Sequence, residues 1–318
     1  MQKNIVMTML GPEAVGKTTL LATMYNELAK IETTEHGFHF AAANDTGVDL
    51  ETAYQKLSQI IEKQAYTHIG QLLPGTAGII ERQFEISFQD NKELDLSFYD
   101  IAGGLLLAKE DNKDIKEFKG ILAQAAVIIN VIDGAALVEG SLLLSDSINQ
   151  PTRVRDLLRP GFTQSKQKRL VLFVITKCET WLKDEQGQKK LQKAFETRHK
   201  PVLNFIEERS NVVGVLIPVK TLGCVEFSRI EGRGEDETIV FTRRPHLEFS
   251  PEKVDQPLRY ALAFALLQHD KNRSGWSRFA SDWLSNKGEA FQESLIWFAN
   301  GRDRNFKAYG KKSLIDVI

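Results

Sequence analysis

Along the chain, short runs of consecutive apolar residues alternate with longer stretches in which apolar positions recur every three or four residues. The first rhythm is that of a strand buried on both faces, and the second is that of a helix lying on a sheet. Asn4–Leu10 opens the series as a strand, and Gly11–Thr18 leads into a helix running to about Lys30. A short strand is expected at Phe38–Ala42 and an amphipathic helix from about Leu50 to Lys63. Gln83–Phe88 and Leu94–Tyr99 alternate like paired strands, with Asp90-Asn91 as the turn between them. Val127–Ile132, Leu170–Ile175 and Val213–Val219 read as buried parallel strands. Helical stretches at Ile115–Ala125, Ser141–Leu158 (interrupted) and Leu191–Glu208 separate them, and Asp255–Gln268 closes the domain. Gly223–Glu237, rich in glycine and charge, is expected to be an exposed loop. The whole predicts an α/β fold, a mostly parallel sheet sandwiched by helices.

From about residue 270 the character changes. Trp276, Phe279, Trp283, Phe291, Leu295, Trp297 and Phe298 fall at roughly helical spacing among polar residues. This division predicts one domain over 1–270 and a helical extension over 271–318, packed on it or docking a partner. The extension carries three of the four tryptophans. Lys307, Lys311 and Lys312 offer only a thin case for phosphate contacts.

Charge and cysteine content narrow the setting. The 318 residues carry a net charge of −1, so no global field favours nucleic acid or an anionic membrane. Lys166, Lys168 and Arg169, and the pair Arg243 and Arg244, read as solvated faces. No apolar run approaches the roughly 18 residues of a membrane span. Met1–Gly11 is too short and too soon interrupted to be a secretory signal, and two cysteines make no disulfide framework. A cytoplasmic protein is expected.

The chemistry is concentrated in Gly11-Pro12-Glu13-Ala14-Val15-Gly16-Lys17-Thr18, a full match to G-x-x-x-x-G-K-[ST] placed between a strand and a helix. Glycines let the backbone wrap a diphosphate, and the helix N-terminus adds partial positive charge behind it. Gly11, Glu13, Ala14, Val15, Gly16, Lys17, Thr18 and Thr19 are therefore expected to bind nucleotide, with Lys17 on the β- and γ-phosphates and Thr18 on Mg²⁺. Two strands could supply the magnesium-side aspartate, one ending at Asp100 and one at Asp133. An ATPase of the AAA or ABC type favours a strand ending Asp-Glu, whereas Asp133 is followed by Gly134.

Asp100-Ile101-Ala102-Gly103 forms D-x-x-G, and here the chain resembles the P-loop GTPase superfamily, in its Ras-like and translation-factor-like branch. The resemblance implies that Asp100 reaches Mg²⁺ through water and that the Gly103 N–H meets the γ-phosphate as part of switch II. Thr176-Lys177-Cys178-Glu179 stands where the family carries [NT]-K-x-D, so Thr176, Lys177 and Glu179 are expected to read guanine, with Glu179 one methylene longer than the usual Asp. Lys220 and Thr221 resemble the family's loosely patterned fifth loop. Thr76, before the strand that pairs with the one ending at Asp100, matches the switch I threonine that closes on Mg²⁺; Thr34 and Thr46 are competitors. On this reading the domain has a Ras-like GTPase fold with an insertion over about 31–72, before switch I. The long insertion and the departures in both motifs look like the prokaryotic double-GTPase family, associated with bacterial conflict systems.

Such a protein binds GTP and GDP with Mg²⁺ and acts as a molecular switch through a protein effector or activating partner; its oligomeric state stays open. The family's water-holding glutamine after D-x-x-G is replaced by Gly104, so Lys17, Thr76 and Gly103 are the catalytic candidates left. Intrinsic hydrolysis is then expected to be slow, on the order of 10⁻⁴–10⁻³ s⁻¹ or less. Lys109, Glu110 or a partner residue could substitute. The alternatives are an ATP-dependent ATPase or kinase, with Arg153, Arg155 and Arg159 as candidate fingers, or a nucleotide-binding scaffold without hydrolysis. Cys178 and Cys224 flank the base-reading loops as buried hydrophobes or oxidation sensors, and the six histidines show no metal-ligand spacing.

Overall fold

The computed structural model describes residues 4–31, 37–63, 66–67, 73, 75, 78–88, 91–108, 112–163, 166–270 and 289–315. In chain order these form β1 (Asn4–Leu10), α1 (Lys17–Ala29), β2 (Phe38–Ala42), α2 (Thr46–Lys63), β3 (Tyr66–Thr67), β4 (Ile79–Phe88) and β5 (Asn91–Ile101). There follow α3 (Lys113–Gln124), β6 (Val127–Asp133), α4 (Gly134–Val138), α5 (Leu142–Asn149), α6 (Pro151–Thr163), β7 (Arg169–Thr176) and α7 (Glu185–Arg198). The last are α8 (Lys200–Glu207), β8 (Val212–Pro218), β9 (Val225–Glu231), β10 (Thr238–Arg243), α9 (Gln256–Asp270), α10 (Glu289–Asn300) and β11 (Ala308–Gly310).

The main sheet runs β11-β8-β7-β6-β1-β5-β4-β2. Its centre is parallel, β1 lying between β5 and β6, with β7 and β8 beyond. Every residue of β6 and β7 is buried, which explains their unbroken apolar sequence. The flanks are antiparallel: β4 on β5, β2 on β4, and β11 on β8. Two apolar cores cover the faces. One joins Met7, Met9 and Phe98 to Leu20 of α1, Leu258 and Phe264 of α9, and Phe291 of α10. The other joins Leu10, Ile128 and Phe173 to Phe118 of α3, Leu157 of α6 and Phe195 of α7. Each such side chain, fully buried, contributes about 1.5–3 kcal/mol. With α1 and α3 on opposite faces, the carboxyl ends of β1, β5, β6 and β7 open toward one rim, where ligands of such sheets sit.

Several expectations need revision. The interruption inside Ser141–Leu158 is a true break: Gln150 ends α5 in the left-handed region and Pro151 starts α6, where a missing N–H does no harm. The stretch Leu191–Glu208 is likewise two helices, broken at His199, with Pro201 in the first turn of the second. Gly223–Glu237 is not a loop throughout. Val225–Glu231 pairs with Thr238–Arg243 as an antiparallel hairpin, and β3 pairs with its second strand. These strands alternate weakly because a bulge at Ser228, opposite the Val240–Phe241 step, breaks the period of two. Arg169, read as part of a solvated cluster, is fully buried and donates to the carbonyls of Leu122, Ala123, Ala125 and Gly161. It thereby satisfies the orphan carbonyls at the end of α3, and burial pulls its guanidinium down to about 10.

In the C-terminal region Phe291, Leu295 and Phe298 are buried against α9, while Trp297 is 39% exposed. Trp276, Phe279 and Trp283 lie outside the described residues. Beyond α10 the chain adds β11 to the edge of the sheet, a strand of three residues. Among the described residues no helix is long and apolar enough to cross a membrane.

Candidate nucleotide-binding site

The loop from Gly11 to Gly16 turns between β1 and α1 at that rim. Gly16 holds φ at 96°, which L side chains rarely adopt, and non-glycine Ala14 is also positive at 62°. Such a run of alternating conformations turns successive N–H groups inward into an anion cradle. A cleft of about 510 Å³ lies in front of it, lined by Glu13, Ala14, Gly16, Lys17, Thr18 and Thr19 on one side. The other side is Leu73, Gly75, Gly78 and the run Ala102–Leu105. Gly11 and Val15 lie buried beneath. The Lys17 ammonium donates to the carbonyls of Gly11 (2.7 Å) and Pro12 (3.0 Å) across the loop. Burial pushes it below the usual lysine range, and the charges of Asp100 and Glu13 pull it part of the way back.

Asp100 is fully buried near the end of β5, opposite Met9 of β1, and within electrostatic reach of Lys17. Asp133, the other candidate, is committed elsewhere. One of its oxygens accepts from the Ala136 N–H at the start of α4, and the other pairs with Lys177 at 2.7 Å. Asn149 binds the Asp133 backbone in both directions.

Gly103 begins a 3-10 turn over Gly103–Leu107 and lies flat on the phosphate loop. A Cβ there would collide with the backbone of Pro12 and Glu13, so glycine is required by close approach rather than by φ. Ahead of the turn, the Ala102 N–H donates to Gly78 (2.7 Å), which ties it to the segment leading into β4. Behind it, Arg153 of α6 donates to the carbonyls of Leu106 (2.6 Å) and Ala108 (3.0 Å). Arg153 is thus a clamp on this turn, and Arg155 pairs with its neighbour Asp156. Thr76, Lys109 and Glu110 lie outside the described residues.

Thr176–Glu179 follows β7 at the same rim, beside the loop. The Thr176 hydroxyl donates to Val15 O at 2.6 Å and so braces the phosphate loop from beneath. Lys177, at a positive φ of 51°, extends to Asp133 and lies 5.8 Å from the Phe241 ring of β10. Glu179 is buried and accepts from the Leu222 N–H at 3.1 Å. Burial pushes its carboxyl above the usual range, while N–H groups of Leu222, Gly223 and Thr221 work against that. Thr221 is buried in the loop so held. Lys220 points away, paired with Glu252. The structure therefore brings Thr176, Lys177, Glu179 and Thr221 together and sets the Lys220 side chain apart from them. Cys178 and Cys224 are both buried, and burial raises both thiols, which disfavours the reactive thiolate.

Asn149 and the Arg153 clamp carry no local signal, since their partners lie far along the chain. The one visible hint was that Arg153 belonged to an arginine cluster next to a helix start. A larger hollow of about 1030 Å³ between α7, α8 and β11 is lined by Lys and Glu of mixed sign.

A sequence profile of the Double-GTPase 2 family matches residues 5–210, from β1 through α8. The chain belongs to the Double-GTPase 2 family. The match takes in the phosphate loop, the D-x-x-G turn and Thr176–Glu179, and it stops before Thr221 and the β9–β10 hairpin. The resemblance drawn from the motifs, to the P-loop GTPase superfamily and its double-GTPase members, is thereby established. Comparison with curated proteins returns no match. Among solved structures, the Ski7 GTPase-like domain of S. cerevisiae bound to GTP is similar at 16% identity and a TM-score of 0.41. The same domain bound to GDP and inorganic phosphate gives 16% and 0.43. In both, 69% of this chain is covered, and the chain spans 43% of the length of the other.

Proposed function

We propose that this protein binds GTP with Mg²⁺, hydrolyses it slowly to GDP, and works as a nucleotide-dependent switch through a protein partner. The observation that carries the reading is the cleft in which Gly103 rests against Pro12–Glu13 above Lys17 and Thr18. A γ-phosphate entering there would meet the Gly103 N–H and displace the turn, which is how such proteins convert a phosphate into a changed surface. Membership of the family supports guanine as the base, and Thr176, Lys177, Glu179 and Thr221 would surround it.

The donor set suits a hard divalent cation. Thr18 lines the cleft and the Asp100 carboxylate is buried within electrostatic reach of Lys17, both oxygen ligands of the kind Mg²⁺ takes. Thr76 would join them from switch I. When bound, Mg²⁺ neutralises charge on the β- and γ-phosphates. Among the described residues no cluster of three His, Cys, Asp or Glu could hold a metal ion. Lys17 would bind the same oxygens, and Gly104, without a side chain, supports slow intrinsic turnover.

The domain division at about residue 270 belongs to the same proposal, with 31–72 as an insertion and 271–318 as a packed extension. Burial of Phe291, Leu295 and Phe298 against α9 supports packing over a free docking face. Titration calorimetry with GTP, GDP and ATP in Mg²⁺ buffer is the test. Binding of the guanine nucleotides at least tenfold tighter than ATP is expected, and a preference for ATP would overturn the assignment of the base.

A further inference from the structure

We infer that the Glu13 carboxylate orients the hydrolytic water, a task for which Gly104 has no side chain. The inference rests on the GTP-hydrolysis reading above and adds a catalytic residue to it.

The first observation is the composition of the cleft. Among its described lining residues Glu13 supplies the only carboxylate and Lys17 the only cation; the rest are glycine, alanine, leucine and threonine. The second is position. The Glu13 backbone nitrogen lies against Gly103, so this residue borders the point where the D-x-x-G turn would meet the γ-phosphate. A Cβ on Gly75 would sit 3.5 Å from Glu13 Oε1, so the carboxylate reaches across the mouth to the segment that precedes β4. It is also close enough to Lys17 to raise the proton affinity of that ammonium. The Glu13 side chain therefore stands over the same space as the end of a triphosphate held by Lys17.

The third observation is freedom. Glu13 is exposed, and among the described residues no hydrogen bond or ion pair holds its side chain. The other carboxylates nearby are not so placed: Asp100 is fully buried, and Asp133 is bound to Ala136 and Lys177. A carboxylate within hydrogen-bond reach of water can hold it in line with the scissile bond and take up its proton.

The step balances without a further reactant. The water oxygen forms a bond to the γ-phosphorus while the bond to the β,γ-bridging oxygen breaks. The bridging oxygen leaves with GDP and its electron pair. A proton of the water passes to the Glu13 carboxylate and from there to the released phosphate.

The experiment compares wild type, Glu13→Gln and Glu13→Ala. Calorimetry with GDP and with a non-hydrolysable GTP analogue comes first, together with thermal melts. Single-turnover hydrolysis of GTP by excess protein with Mg²⁺ follows. Both variants are expected to melt like wild type and to bind GDP within about threefold of it. The single-turnover constant is expected to fall about tenfold or more in Gln and further in Ala. A loss in kcat at unchanged KM marks a group acting in the transition state rather than in binding. An unchanged or faster rate in Glu13→Gln overturns the inference, because it makes the carboxylate a bystander or a repeller of the γ-phosphate. Wild type that binds GTP without any turnover overturns it as well, and leaves the binding assignment standing. Wild type that binds no guanine nucleotide defeats the earlier reading itself, which the calorimetry reveals before hydrolysis is measured.

Discussion

At the phosphate loop the contacts on offer are backbone amides; in the segment after β7, polar side chains are already bound to groups elsewhere in the protein. The Gly11–Gly16 loop presents N–H groups, with Lys17 and Glu13 as its charged side chains facing the space. In the Thr176–Glu179 segment every polar side chain already has a protein partner: Thr176 on Val15, Lys177 on Asp133, Glu179 on Leu222. Lys17 is bonded within its own loop, whereas Thr176, Lys177 and Glu179 are bonded to segments far along the chain, so substitutions among these also reach the fold. There, affinity and stability are tied together.

Lys17→Ala should give the largest effect on binding. A charge-assisted hydrogen bond contributes about 1.5–3 kcal/mol, so GTP affinity should fall roughly ten- to a hundredfold by calorimetry, with the nucleotide-free melting temperature changed by only a few degrees. A large fall in that temperature would break the contrast between the two ends.

Glu179→Ala comes next and should show the reverse balance. It leaves the buried Leu222 N–H without its acceptor, a loss of about 1–3 kcal/mol of stability in denaturant melts. GTP affinity should fall severalfold through the displaced 221–223 loop. Glu179→Gln keeps an oxygen for Leu222 and removes a buried charge, so its stability should match or exceed wild type while guanine selectivity over ATP drops. Equal selectivity in Glu179→Gln and wild type would mean that this carboxylate is scaffold alone.

Arg153→Ala should have the smallest effect. Two half-buried hydrogen bonds to Leu106 and Ala108 are lost, about 1–2 kcal/mol, and the turn that carries Gly103 is loosened. The ratio of GTP to GDP affinity should shift by a few fold, and GDP affinity alone should stay put. A shift of both nucleotides together would show that the clamp supports the whole site rather than the γ-phosphate side.

These contrasts also mark what could be read in advance. The phosphate end was legible because its requirements are local: a strand, a tight loop and a helix start occupy consecutive positions, and Gly16 and Gly103 answer to backbone geometry. The glycine three residues on favours Asp100 over Asp133 in sequence, and in the structure Asp133 is bound to Ala136 and Lys177. The base-side loop was legible as a motif, but its working was not. That Lys177 pairs with Asp133 and that Glu179 turns inward to Leu222 depend on partners 44 and 43 residues away. The hairpin at 225–243 was not legible because a bulge at Ser228 breaks its period of two and leaves Ser228 and Arg229 exposed in succession.

By itself the amino-acid sequence determined the rhythm of strands and helices, the parallel core and the phosphate loop, since each follows from the period of apolar residues or from the φ a few positions must adopt. Long-range packing was needed to show that Arg153 grips the D-x-x-G turn, that β3 joins the hairpin, that β11 closes the sheet edge, and that Glu13 overhangs the cleft. Those are meetings of distant segments, fixed by how two cores pack on either face of one sheet, and no local pattern encodes them.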